Sequence, residues 1–162
     1  TLRAVARQAG TTTPTVYKRF RNKKALQIAL ARRFRDELIE QYVSASTLEE
    51  IPLVYLRFTE EHPHEYELLR LTWPEIFHPE RPRPVRAWLL EQLARRFGGT
   101  PETYERTFYA LFLLSHGAAS LLAIPGDEIA HKEVRENFLA ICDTILRNAR
   151  MFQEEPPSSS GR

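Results

Sequence analysis

The fold of this chain is decided by residues 2–20, whose sequence is LRAVARQAGTTTPTVYKRF. The first half of this stretch places apolar residues on one face at the spacing of an α-helix, namely Leu2, Val5, Ala6 and Ala9. Gly10 follows at the position where a residue with a left-handed backbone ends a helix. The pattern therefore predicts a short helix that stops in a tight turn.

A second short helix is predicted directly after the turn. Thr12 or Thr13 can cap it, and a proline such as Pro14 is tolerated in a first helical turn. Val16 and Phe20 then point inward, four residues apart. The residues left on the outward face are Thr13, Thr15, Tyr17, Lys18 and Arg19. Two short helices joined in this way form a helix-turn-helix, and the polar, basic outward face is suited to reading DNA.

The start of the next helix strengthens this interpretation. Asn22 is a good cap for a helix that begins with Lys23 and Lys24. Lysines in a first turn oppose the helix macrodipole, where aspartate or glutamate is the stabilising choice. A DNA phosphate bound at the helix N-terminus and by these ammonium groups would explain both residues. The alternative is that the two lysines only solvate a surface turn, and the preceding helix-turn-helix favours the phosphate.

Three sequence patterns at this end of the chain resemble the DNA-binding domain of the TetR family of bacterial transcriptional regulators. They are Ala-Val-Ala-x-x-Ala-Gly from residue 4, Thr-x-x-x-Val-Tyr-x-x-Phe from residue 12 and Asn-Lys-x-x-Leu from residue 22. The resemblance covers residues 2 to about 30. It implies that Tyr17 and Lys23 contact backbone phosphates, and that Thr13, Thr15 and Lys18 lie at or near base edges.

The predicted DNA-binding set joins these residues with neighbours on the same surface: Thr12, Thr13, Thr15, Tyr17, Lys18, Arg19, Lys23 and Lys24. Three positions depart from the family pattern. Thr11 stands where a valine is usual, Arg19 where a histidine is frequent, and Lys24 where a glutamate is usual. These departures bear on the DNA sequence that is bound and on the strength of contact, and they leave the family resemblance intact.

Charge is distributed unevenly along the 162 residues. Residues 1–35, which we call the basic head, contain ten Lys or Arg and no Asp or Glu. The rest of the chain contains 13 basic and 21 acidic residues, so the overall charge of +2 hides a strong asymmetry. A basic head on an acidic body favours binding of a polyanion at one end of the protein only.

Composition and the chain ends bear on the compartment and on the domain boundary. Cys142 is the only cysteine, so no intrachain disulfide can form, and a reducing compartment fits. The family resemblance implies the bacterial cytoplasm. Cys142 lies in a helical apolar stripe, where a small buried thiol is expected. No apolar run approaches membrane-spanning length, and no signal peptide is visible. Because the chain opens directly in a capping Thr1, we expect a further helix upstream that covers Val5, Val16 and Phe20.

The rest of the chain predicts an all-α fold. One long helix is expected from residue 22 to about 44, and later helices over residues 48–62, 64–73, 84–97, 100–122 and from 127 onward. A loop is expected at 77–84, where three prolines fall, and Pro125-Gly126 should end a helix before Asp127 caps the next. The predicted domains are a helix-turn-helix domain with its connecting helix (1–44), a helical effector-binding and dimerisation domain (45–152) and a disordered tail (153–162).

The last two predicted helices carry apolar residues on more than one face, which exceeds what one core requires. Small residues at 115–120 would let another helix approach closely, so pairing with a second copy predicts a four-helix dimer interface. The predicted interface residues are Ala118, Ala119, Leu122, Phe138, Ile141 and Ile145. The arrangement resembles the family's C-terminal domain, in which one subclass has Trp-His-Gly where this chain has Ser115-His116-Gly117. The alternative is that these faces pack within one subunit.

Aromatic and histidine residues are frequent in the middle helices and are suited to an apolar or aromatic effector. The predicted set is Tyr55, Phe58, His62, Tyr66, Trp73, Trp88, Phe112 and His116. For any single member, plain core packing is an equal alternative. The family resemblance implies a ligand pocket here, with Tyr55, His62, Tyr66 and His116 as its polar contacts.

The candidate catalytic and metal-binding residues argue against an enzyme. His62 and His64 have no carboxylate or cysteine at ligand spacing, so no metal site is predicted. Ser115, His116 and Asp127 are the residue types of a catalytic triad, but neighbours in one helix project in different directions. No glycine loop suited to phosphate is present, and no cofactor is predicted.

The sequence thus favours a homodimeric, ligand-responsive transcription factor, and a repressor over an activator. An effector in the helical body would release the protein from its DNA operator. The alternative is a helical protein whose basic end binds RNA or a membrane surface. Discrimination between duplex DNA sequences separates the two hypotheses.

Overall fold

Helices make up nearly all of the protein that the structure, a computed structural model, describes: residues 1–76, 84–124 and 128–152, apart from the side chains of Pro84 and Phe152. No strand occurs within these ranges, as the all-α prediction requires. The α-helices are α1 (Leu2–Gln8), α2 (Thr13–Arg19), α3 (Lys23–Ser44), α4 (Glu50–Glu61), α5 (Pro63–Leu71), α6 (Trp73–Ile76), α7 (Pro84–Phe97), α8 (Glu105–Leu122) and α9 (Glu128–Arg147). Short 3₁₀ turns, Pro101–Tyr104 and Ala149–Phe152, precede α8 and follow α9.

Three predictions lie outside the described residues. They are the proline-rich loop before residue 84, the Pro125-Gly126-Asp127 break and the tail from residue 153. They stay predictions.

The helix-turn-helix forms as the local sequence dictates. Gly10 has a φ of 61°, and a Cβ added there would meet no atom within 4 Å. Glycine is therefore needed for the backbone conformation and not for lack of space. The side chain of Thr12 caps α2 by accepting a hydrogen bond from the backbone N–H of Thr15, and Pro14 lies in the first turn.

The N-terminal helices share a small core. Leu2, Ala6, Val16 and Leu26 are buried together, with Phe20 packed against them. Val5 was also expected to point inward, but 40% of its surface is exposed. The first helix therefore buries a narrower stripe than its apolar pattern predicts.

Helix α3 begins where the sequence predicts. The Oδ1 atom of Asn22 accepts a hydrogen bond from the backbone N–H of Ala25 at 2.8 Å, which caps the helix. Leu26 and Leu38 are buried, whereas Leu30 between them is 39% exposed. A repeat of four residues advances about 40° around a helix of 3.6 residues per turn, so the apolar row spirals instead of forming one straight face.

The chain groups into two compact units that alternate along the sequence. The first unit comprises residues 1–38 and 62–81, and the second comprises residues 39–61 and 82–162. The domain boundary predicted at residue 44 follows chain order and stays a prediction. In the structure, residues of α5 and α6 group with the helix-turn-helix because of their contacts in space.

The second unit contains the larger core. Leu56, Leu93, Tyr104, Leu111 and Phe138 are among its buried members. The hydroxyl of Tyr104 donates a hydrogen bond to the carbonyl oxygen of Gly98 at 2.6 Å. Because buried hydroxyl groups are costly without a partner, this bond lets a fully buried tyrosine join the end of α7 to the start of α8.

Cys142 is buried in the same core, as the sequence predicts. Burial raises the pKa of its thiol to about 12. The group is therefore protonated at neutral pH and acts as a small apolar side chain.

Candidate nucleic-acid interface

The outward face of α2 is exposed and carries the side chains that the sequence predicts for DNA contact. Tyr17 has 55% of its surface exposed, and Thr15, Lys18 and Arg19 are exposed beside it. Thr13 is half-buried at the first position of the helix. These side chains point away from the core because Val16, on the opposite face, is buried against α1 residues. The sequence places them on one surface, and the structure brings them together there.

Thr12 and Thr15 are joined at the start of α2. Their hydroxyl oxygens lie 2.8 Å apart, and the backbone N–H of Thr15 donates to Thr12 Oγ1 at 3.4 Å. Each hydroxyl has one proton, and only one of the two protons is used between them. The pair therefore keeps one hydroxyl donor for an outside acceptor such as a phosphate or a base edge.

The two lysines at the start of α3 differ in their surroundings. Lys24 forms an ion pair with Glu75 of α6, which belongs to the same compact unit. The hydrogen bond that the Lys24 ammonium donates in this pair lowers the pKa of the Glu75 carboxyl. Lys23 is exposed and makes no ion pair with any residue in the described part of the chain. That Lys23 binds a phosphate stays a prediction.

Acidic side chains form ion pairs with some cations of the basic head and not with others. Arg33 pairs with Glu37, and Arg35 pairs with Asp36, both within α3. With Lys24 held by Glu75, the compensated cations lie along α3. The exposed cations with no ion pair to a described residue are Arg3, Arg7, Lys18, Arg19, Arg21 and Lys23. The exposed uncompensated charge is therefore concentrated on α1, α2 and the start of α3, while Arg32 is a half-buried cation further along α3.

A helix-turn-helix with an exposed, basic second helix defines a class: DNA-binding proteins that place this helix in the major groove. Residues 1–30 match the family model described as bacterial regulatory proteins, tetR family. Over these residues the chain is similar to the DNA-binding region of the tetR family of regulators. Comparisons with curated proteins and with solved structures gave no significant match.

Three of the predicted effector residues meet inside the second unit. The hydroxyl of Tyr55 and Nδ1 of His116 are 2.5 Å apart, and the two rings meet edge-on. Phe112 contacts the His116 ring in the same manner, with centroids 4.4 Å apart. Burial lowers the pKa of His116 to about 4, so the imidazole is neutral at physiological pH. The result is a polar pair enclosed by aromatic rings.

The other predicted effector residues are distributed between both units. Phe58 is buried in the second unit, and Trp88 packs against its core. His62, Tyr66 and Trp73 belong to the first unit, where Tyr66 is buried and the other two are half-buried. Their assignment to an effector site stays a prediction.

The predicted dimer residues do not share one accessible face. Ala118, Ala119 and Phe138 are buried inside the chain's own fold. Their place in a dimer interface stays a prediction. Two of the small residues of α8 thus allow close packing within the chain. Ile141 is 46% exposed, and Leu122 and Ile145 are half-buried.

Two contacts in the structure are not predicted by any sequence pattern. Glu75 lies far from Lys24 in sequence, and no motif connects them. Tyr42 stacks on Tyr55 with ring centroids 6.4 Å apart, although its spacing in α3 predicts only core packing. Both are non-local contacts, and the only available signal for Glu75 was the unusual lysine at position 24.

The described residues offer little to metal or membrane chemistry. They contain no group of three or more His, Cys, Asp or Glu side chains arranged to hold a metal ion. Nor is any helix within the described ranges both long enough and apolar enough to cross a lipid bilayer. Asp127, one member of the triad considered above, lies outside the described residues.

Proposed function

We propose that this TetR-type regulator is a sequence-specific repressor that a small apolar or aromatic effector releases from its operator. The observation that carries the proposal is the uncompensated positive charge on an exposed α2 face whose opposite face is fixed by a buried core. A helix whose opposite face is packed in a core holds its outward side chains in fixed positions. Contact with base edges in the major groove of DNA requires such fixed positions. A repressor of this kind acts in the bacterial cytoplasm, where the DNA is.

The effector part of the proposal is supported by the Tyr55–His116 pair. A hydroxyl and a neutral imidazole both donate and accept hydrogen bonds, and the rings beside them provide apolar contact. An uncharged aromatic molecule with a polar group matches this chemistry. To act as an effector it must bind one state of the protein more tightly, and about 1–3 kcal/mol of coupling is typical of regulatory ligands.

Dimerisation is the third part of the proposal, and the outer face of α8 supports it. Tyr109, Leu113 and Leu121 are exposed apolar side chains spaced by multiples of four residues. Gly117 lies between the two leucines, and a Cβ added there would meet no atom within 4 Å. Glycine inside a helix costs about 1 kcal/mol relative to alanine, so its place here is explained by another helix that approaches closely. A symmetric dimer then presents two α2 helices to successive major grooves, about 34–36 Å apart.

The test is selection of bound duplexes from a pool of random DNA sequences by the whole chain. A repressor of this kind enriches a site with two related half-sites, because a two-fold dimer reads a near-palindrome. Equal recovery of all duplexes would contradict sequence-specific binding. Preferential binding to single-stranded RNA or to anionic lipid vesicles would favour the alternative of a basic helical protein with another acidic partner. Reporter expression from the enriched site, with and without the protein, separates repression from activation.

A further inference from the structure

The Lys24–Glu75 ion pair is unusual because it uses a cation of the predicted DNA surface. Lys24 Nζ contacts Glu75 Oε1 while 67% of the lysine side chain is exposed, so the ammonium lies at the surface and not in a core. Glu75 comes from α6, whereas Lys24 lies in the first turn of α3. The contact therefore joins the start of the helix that follows the recognition helix to a segment much later in the chain.

The helix start gives a physical reason for this acidic neighbour. The first turn of α3 contains no acidic residue, although negative charge is what stabilises a helix N-terminus. Glu75 of another helix brings a carboxylate to one of the two lysines in that turn. It thus neutralises a cation that is unfavourable at a helix start.

The pair bears directly on DNA binding because a carboxylate and a phosphate compete for one ammonium group. Affinity for duplex DNA depends on how many cations displace condensed counterions. A lysine whose charge is cancelled by a carboxylate adds little to that number, whereas Lys23 beside it adds a full charge.

We propose that Glu75 is an affinity-setting residue of the DNA interface, which withholds Lys24 from the phosphate backbone. This inference rests on the proposed function, since it assumes that the basic head binds DNA. Glu75 contacts no DNA in this account. It acts through Lys24, and it sets how strongly the protein binds any duplex without changing which sequence is preferred.

The experiment measures affinity for labelled duplex DNA of mixed sequence against salt concentration, using the whole chain. Glu75→Gln removes the carboxylate charge and should steepen the slope of log K against log salt by about 0.9. Raising the salt from 50 to 200 mM should then reduce the binding constant of the variant by a factor roughly three to four times that for the original protein. Glu67→Gln is the matched control, because Glu67 makes its ion pair with Arg70 inside α5 and not with a cation of the basic head.

A double variant establishes whether Glu75 acts through Lys24. In a Lys24→Gln background, Glu75→Gln should leave the slope near that of the original protein, whereas with Lys24 present it steepens the slope. Thermal melting of each variant checks that the fold is intact. An unchanged slope in Glu75→Gln, or an equal change in Glu67→Gln, would overturn the inference while leaving DNA binding in place. Failure of the original protein to bind duplex DNA would instead contradict the proposed function.

Discussion

Helices α2 and α8 both expose one face, and the two faces have opposite chemistry. The outward face of α2 carries threonine, tyrosine, lysine and arginine side chains, whereas that of α8 carries tyrosine, leucine and glycine. A basic face attracts a polyanion, which remains hydrated and salt-sensitive at contact. An exposed apolar face gains free energy only when another apolar surface covers it. The comparison teaches that one chain can offer a separate surface to each of two kinds of partner. DNA titration reports on the basic face, and measurement of the mass reports on the apolar face.

The largest effect is expected from a charge placed on the α8 face. Leu113→Arg should abolish the dimer, because 65% of Leu113 is exposed and a guanidinium there cannot be buried against a second copy. A monomer loses the second half-site, so operator affinity should fall by about 10²–10⁴-fold. Light scattering measures the mass, and DNA titration measures the affinity.

Leu71→Arg is the matched control for this change. Leu71 is an exposed leucine on α5, outside the proposed interface. It should leave the mass and the operator affinity unaltered. A stable dimer in Leu113→Arg would show that the subunits meet elsewhere.

The next largest effect concerns acid stability and the neutral histidine. The pKa of His116 is about 4 in the folded protein against an ordinary value of 6.5, so the unfolded chain binds its proton first as pH falls. The stability that depends on a neutral His116 is present above pH 6.5 and is lost as pH falls toward about 4. The free energy of unfolding should decrease by about 3 kcal/mol over this window in excess of that of His116→Gln.

Urea unfolding at several pH values measures this difference. His64→Gln serves as the control for the loss of an imidazole, since His64 is exposed on α5. Parallel curves for the original protein and His116→Gln would rule out a neutral, buried imidazole.

A smaller effect is expected at the base-reading face. Thr15→Ala removes a hydroxyl that faces outward from α2, and it should change preference at one base position by about 1 kcal/mol. Binding across a set of single-base operator variants measures this. Thr47→Ala removes an exposed hydroxyl of the second unit and should leave the preference profile unaltered. Uniform weakening on every operator would mean that Thr15 supports the Thr12 cap and reads no base.

The smallest effect is expected at the phosphate contact. Lys23→Ala should weaken binding to all duplexes alike and reduce the salt slope by about one unit. Arg95→Ala removes the same charge from α7 in the second unit and should leave the slope unchanged. Identical slopes for both variants would remove Lys23 from the interface.

The fold of the N-terminal region was predictable because its signals are local. Gly10, Thr12 and Asn22 each act within four residues, and each forms the turn or cap that its type predicts. The outward face of α2 follows from helix geometry once those signals are placed. Its role in DNA contact stays a prediction.

The interior of the second unit was less predictable because its contacts join distant parts of the chain. The sequence indicates that aromatic residues are plentiful, but the Tyr55–His116 pair and the stacking of Tyr42 depend on how helices pack. Ala118 illustrates the same limit: a small residue signals a close helix approach and does not identify the helix that approaches. The ion pair of Glu75 with Lys24 could not be predicted, because the sequence shows an unusual lysine in the first turn of α3 but does not indicate its partner.

The alternation of the two units along the chain has a consequence for modularity. Residues 62–81 return to the unit that contains the helix-turn-helix after residues 39–61 have joined the other. A contiguous cassette taken from the N-terminal end would therefore leave α5 and α6 behind, together with Glu75. A chimera built from residues 1–44 would present Lys24 uncompensated and bind DNA with a different salt sensitivity from that of its parent. The transferable module is discontinuous, so recombination that keeps the recognition helix does not by itself keep the affinity.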